Sequence, residues 1–246
     1  MLVSRGKDVP LRLYLNPGRE PVSAPSSPLD LGALPIDSLP FHDDFNRPDG
    51  TIGNGWHSWW AGEVDHPNVR LSDGWLVSPG YTSRASGVFR RLPVEFPISF
   101  SFDYKTATDP LPGESWNVGG WVIAFNTAPS SLPFRCGGIG AQPSQVVLWH
   151  AGGARDMVRQ YWSRTGERMT DVVPNMTPPI SGQRDYGMEH AAQISGRIWA
   201  DLRTEVVVTY NDGRAPAQVT FRFPAPRDAI SQAPGDFLYF GCSSHI

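Results

Sequence analysis

Apolar and polar residues alternate every second position over much of this chain. Between residues 96 and 105, Phe96, Ile98, Phe100, Phe102 and Tyr104 alternate with Pro97, Ser99, Ser101, Asp103 and Lys105. A period of two sets one group on a buried face and the other in water, which predicts an antiparallel strand wet on one side. Val206, Val208 and Tyr210 repeat the pattern. Asn211-Asp212-Gly213 then tolerates the positive φ of a tight hairpin, and 217–223 is the expected return strand. Phe237, Tyr239 and Gly241 alternate in a closing strand at 236–243. Further strands are expected at 55–61, 68–71, 74–78, 86–92, 118–126, 144–150, 157–163, 169–173 and 193–202. No stretch carries a helical period of normal length, and 226–233 would make at most a short helical turn. Roughly a dozen strands punctuated by glycine and proline imply an all-β sandwich or barrel.

The first 40 residues read differently. They hold Pro10, Pro17, Pro21, Pro25, Pro28, Pro35 and Pro40. Val9, Leu11, Leu13 and Leu15 alternate with Pro10, Arg12 and Tyr14 as one short strand, and 16–40 has the spacing of an extended, polyproline-like course. The division is therefore 1–40, a proline-rich extended arm, and 41–246, a single domain. An arm of that length reaches beyond a domain radius. Leu11, Leu13, Tyr14 and Leu15 are its candidate partner-binding residues, toward neighbouring subunits or copies of the same chain. The alternative is that the arm wraps its own sandwich.

The boundary between the two is a distinctive word. Phe41-His42-Asp43-Asp44-Phe45-Asn46 is an extended segment with Phe41, Asp43 and Phe45 on one face, and Arg47-Pro48-Asp49-Gly50 supplies a turn. Gly53, Gly55 and Trp56 follow. At the other end stand a valine-rich strand, the Asn-Asp-Gly turn, a return strand, a loop and Phe237-Leu238-Tyr239-Phe240-Gly241. Both ends resemble the concanavalin A-like lectin/glucanase (laminin-G-like) jelly rolls. Such domains occur in secreted bacterial carbohydrate-active proteins and in tail and other virion proteins of phages infecting actinobacteria. The resemblance covers 41–246 in outline and the two ends in words. It implies an all-β, two-sheet antiparallel jelly-roll sandwich with Phe237–Gly241 beside Phe41–Asn46.

Composition narrows the functions. The net charge is −3, from 21 basic and 24 acidic residues with no basic tract, which argues against nucleic acid as the main partner. Hydrophobic residues make up 40%, with nine tryptophans, so the chain is globular rather than disordered. No apolar run approaches a membrane span. Arg5, Lys7, Asp8, Arg12, Asn16 and Arg19 interrupt any signal-peptide core, so a virion protein made in a host cytoplasm is the expected localisation. Cys136 and Cys242 are expected as two reduced buried thiols, with a single disulfide as the alternative.

Candidate chemistry is sparse. The glucanases of this fold use a Glu-x-Asp-x-x-Glu strand. Glu63-Val64-Asp65 begins that pattern, but Asn68 stands at the third position and Pro67 breaks the strand. There is no Gly-x-Ser-x-Gly elbow, and Gly137-Gly138-Ile139-Gly140 lacks the lysine of a phosphate loop. His42, His57, His66, His150, His190 and His245 have no metal-ligand spacing. No cofactor is expected. Calcium is the one ion the carboxylates would suit, through Asp43, Asp44, Asp49, Asp103 or Asp109. Exposed tryptophans make flat platforms for sugar rings. Trp59 and Trp60 are adjacent and cannot both face a core, and Trp116 sits in a polar loop; these three are the candidate carbohydrate-binding residues. Trp75, Trp121, Trp149, Trp162 and Trp199 fall in strand contexts and are expected in the core. The expected function is a non-enzymatic structural or adhesive virion protein that binds host surface glycan. A bacterial carbohydrate-binding module and a glucanase-type hydrolase are the alternatives.

Overall fold

The computed structural model describes residues 13–14, 35, 39, 41–60, 63–65, 67, 69–72, 74–77, 86–103, 120–125, 146–150, 156–174, 191–210, 217–229 and 235–243. Every regular element among them is a strand: β1 Leu13–Tyr14, β2 His57–Trp60, β3 Glu63–Val64, β4 Arg70–Ser72, β5 Trp75–Val77, β6 Ser86–Val94, β7 Ile98–Asp103, β8 Gly120–Phe125, β9 Val146–His150, β10 Met157–Trp162, β11 Arg168–Val173, β12 Ala191–Ile198, β13 Thr204–Tyr210, β14 Gln218–Phe223 and β15 Gly235–Ser243. Each strand expected from residue 55 onward has a counterpart. The expected return strand pairs antiparallel as β13–β14, with Val206 opposite Phe221 and Val208 opposite Val219, while the expected turn at 211–213 lies outside the described residues.

An eight-stranded sheet, ordered β11-β10-β9-β8-β15-β6-β2-β3, faces a four-stranded sheet, ordered β14-β13-β12-β7. All their pairings are antiparallel. The core lies between them. Phe102 of β7 meets Phe240 of β15 at 4.4 Å and Trp121 of β8 at 5.4 Å between ring centroids, both edge to face. Alternation is clean on the smaller sheet, where Val206, Val208, Phe221 and Phe223 are buried and Arg222 is exposed. The larger sheet is buried on both faces at its centre, since Val122, Ala124, Val147 and Trp149 are as hidden as their inward neighbours. That explains why 146–149 reads as an unbroken apolar run rather than an alternation.

A third sheet, β1-β5-β4, adds Leu71 and Leu76 to the same core. In it Leu13 and Tyr14 pair in parallel with Leu76 and Val77 of their own chain. Leu11 and Leu15 lie outside the described residues.

One buried cation ties the sheets together. Arg159 of β10 is fully buried and ion-paired to Asp171 of β11. It also donates to the carbonyls of Leu202 (2.5 Å) and Pro224 (3.0 Å), which belong to the four-stranded layer. Its guanidinium lies 5.0 Å from the Phe223 ring centroid. A buried charge persists only when it is paired and hydrogen-bonded, and here every side of it is.

The expected opening strand is not formed. Residues 41–46 pair with no strand, and β15 lies between β6 and β8 instead of beside them. The cause is local. The Asp43 carboxylate accepts the Phe45 N–H, Arg47 N–H donates to the Phe45 carbonyl, and Phe45 takes φ +49°. This side-chain-capped turn uses up backbone groups that a ladder would need. The expected alternation survives, with Asp43 and Phe45 buried and His42 and Asn46 exposed.

Candidate functional site

The opening word folds around a single carboxylate. Asp43 is buried and accepts from Phe45 N–H (2.7 Å), Arg47 Nη1 and Nη2 (2.7 and 3.1 Å), Asn54 Nδ2 (2.9 Å) and Trp56 Nε1 (2.8 Å). Burial alone would raise its pKa. The bonds from Arg47, Phe45 N–H and Asn54, with the Arg47 charge, outweigh that and hold it below the ordinary carboxylate value. Arg47 also donates to the Ile52 carbonyl at 2.6 Å, closing the loop from 43 to 56 on itself. Arg90 of β6 donates to the Asn54 carbonyl, with its guanidinium 4.2 Å from the Phe41 ring centroid. Gly55, at φ +74°, leaves room for that guanidinium, which a Cβ would approach to 3.1 Å.

Beside this network a cleft of about 600 Å³ opens between the layers. One bank is 97–102, the run that includes most of β7; the other is 41–43 with Trp56. The floor is apolar, from Leu92 of β6, Ile123 and Phe125 of β8, and Leu238 and Phe240 of β15. Leu39, 43% exposed, stands at its mouth. The volume is that of an ordinary ligand site.

The sequence-derived candidates fall elsewhere. Trp59 pairs through its backbone with Gly87 and Val64, and Trp60 with Ser86 and Glu63, on β2 near the end of the larger sheet. Trp116 lies outside the described residues. Glu63 opens the two-residue strand β3, which ends at Val64, and Asp65 follows outside the strand at φ +56°. Asp65 lies 3.1 Å from His57 Nδ1 and accepts the Ser58 N–H. No protein-family model, curated protein or solved structure matches the chain.

The acidic candidates for calcium are dispersed. Asp43 is saturated, Asp44 accepts the Asn46 N–H (3.0 Å), and Asp103 receives Gln193 Nε2 at 3.5 Å. Asp109 is outside the described residues, as are His66, His190, His245 and Cys136. Among the described residues no three His, Cys, Asp or Glu side chains gather as a metal site. Trp75, Trp121 and Trp149 are buried as expected, whereas Trp162 and Trp199 are half-buried. Trp199 lies under Arg197 and Arg203, at 5.3 and 4.4 Å from its ring. The sequence does carry a signal for Arg159: Met157, Arg159 and Tyr161 share one face, and a cation amid an apolar face needs a partner.

Proposed function

We propose that this chain is a non-enzymatic structural and adhesive protein of a bacteriophage virion, of the minor-tail or decoration type. Its domain is a concanavalin A-like jelly roll, and residues 1–40 anchor it to neighbouring virion subunits through Leu11, Leu13, Tyr14 and Leu15. The displayed sandwich binds host surface glycan through Trp59, Trp60 and Trp116. The observation that most supports this is the Asp43 network. The acidic opening word, which would attract a catalytic or metal role, has its buried carboxylate committed to donors within its own loop. The same word carries the resemblance to phage virion domains. The adjacent tryptophans on β2 support the glycan arm of the proposal.

The test has two arms. Full-length chain is assayed by pull-down on cell walls and on a glycan array, with Trp60→Ala and Trp116→Ala. The expected outcome is binding to at least one wall polysaccharide and its loss in either variant. Separately, the full chain and a chain lacking residues 1–40 are compared by light scattering and by binding to purified phage particles. A monodisperse full-length chain with no affinity for particles would refute the anchoring role.

A further inference from the structure

The cleft is bounded in an unusual way. Residues 97–102 line it consecutively, the outward Ser99 and Ser101 together with the inward Ile98 and Phe100. A cavity under one face of a strand touches alternate residues; one that touches all of them runs along the strand's edge. β7 is the edge strand of its sheet, bonded to β12 on one side and, among the described residues, to no strand on the other. The opposite bank, 41–43, is again consecutive, with alternating burial and no strand partner among the described residues. A strand edge thus faces a segment outside any described strand, across a slot with a hydrophobic floor.

We infer that this slot receives an extended segment of a partner protein, which pairs with β7 as an added strand. An exposed strand edge offers unmet N–H and C=O groups that a purely apolar ligand cannot answer, whereas a peptide backbone can. The floor sets the side-chain chemistry. Alternate residues of the incoming strand are apolar and point toward Leu92, Phe125 and Leu238; the intervening ones are polar and lie beside Ser99 and Ser101 in water. The occupant is therefore a short apolar-in, polar-out segment. The inference stands on the slot alone and does not require the virion assignment.

The probe is a displayed peptide library in which Val, Ile, Leu or Phe alternates with Ser, Thr or Lys, selected against the full chain. Enriched peptides are expected to slow hydrogen exchange at those amides of β7 that do not donate to β12. Leu238→Trp, which fills the floor, is expected to weaken them by about tenfold or more, while the volume-conserving Leu238→Met retains binding. If Leu238→Trp fails to fold, exchange on the unmodified chain still decides. No enrichment, or protection only elsewhere, overturns the inference. Protection of those same outward amides in the free protein overturns it too, because the chain then fills its own slot. So does binding of the apolar dye anilinonaphthalene sulfonate in the cleft with no peptide bound. None of these outcomes bears on glycan or particle binding.

Discussion

Replacing Asp43 by alanine removes the acceptor of five hydrogen bonds at once. Not all of them count equally. Arg47 is partly exposed, at 23% of its side chain, and Asn54 lies in an exposed turn, so both can turn to water. Trp56 Nε1 and the Phe45 N–H cannot, because both bonds are buried. Each buried donor left without an acceptor costs about 1–3 kcal/mol, which gives about 2–6 kcal/mol for the pair. A whole domain has only about 5–15 kcal/mol of stability, so Asp43→Ala consumes a large share. Asp43→Asn keeps one acceptor oxygen but turns an amide toward two donors, and its loss should be smaller. Urea titration at neutral pH, with equal slopes for all three proteins, measures both. The acid limb supplies a second check. The folded pKa of Asp43 is depressed, so its contribution is present above the ordinary value of 3.8 and is lost as pH falls toward the lower folded value. Asp43→Asn should therefore flatten the stability profile in that window. A loss below about 0.5 kcal/mol for Asp43→Ala, the range of ordinary surface substitutions, would refute the account of the network.

Three further outcomes are expected. Arg159→Met leaves the partly exposed Asp171 and two carbonyls without their donor; breaking a fully buried pair costs about 3–5 kcal/mol, and because Asp171 can rehydrate the loss should fall at or below the low end of that range, read as a lowered thermal midpoint. The double change Arg159→Met with Asp171→Leu should recover part of that loss, and no recovery would count against the ion pair as the cause. Gly87→Ala would place a Cβ 2.2 Å from the Phe240 carbonyl oxygen, a backbone atom that cannot step aside, so folding yield should collapse. Gly166→Ala is the contrasting case, with no atom within 4 Å but φ +79°, and should fold with a loss near 1 kcal/mol measured by urea titration.

Strands were legible wherever one face is buried and the other wet. Ile98–Asp103 and the β13–β14 pair lie where the alternation puts strands, because a one-residue slip there exchanges core for solvent. Phe41–Asn46 carries the same alternation without forming a strand. Alternation reports burial, and the fate of the backbone amides depends on a side chain, Asp43, two residues away from the one it caps. Trp199 was assigned to the core from its strand context, but it closes the turn between β12 and β13, where flanking arginines half-cover it. The slot beside β7 could not be read at all. Among the described residues no strand lies next to that edge of β7, and a missing neighbour leaves no mark on the residues that border it.

The closed loop of residues 43–56 also has a mechanical meaning. Tension carried along the chain from β1 toward residue 41 meets Asp43 before any ladder of the two main sheets. Bonds from one carboxylate to donors at 45, 47, 54 and 56 share that load in parallel, and they converge on one atom group. Such a fastening yields as a unit, and on yielding it releases slack before β2 on β6, the next ladder along the chain, is strained. It would act as a fuse, absorbing a pull while the sandwich stays intact.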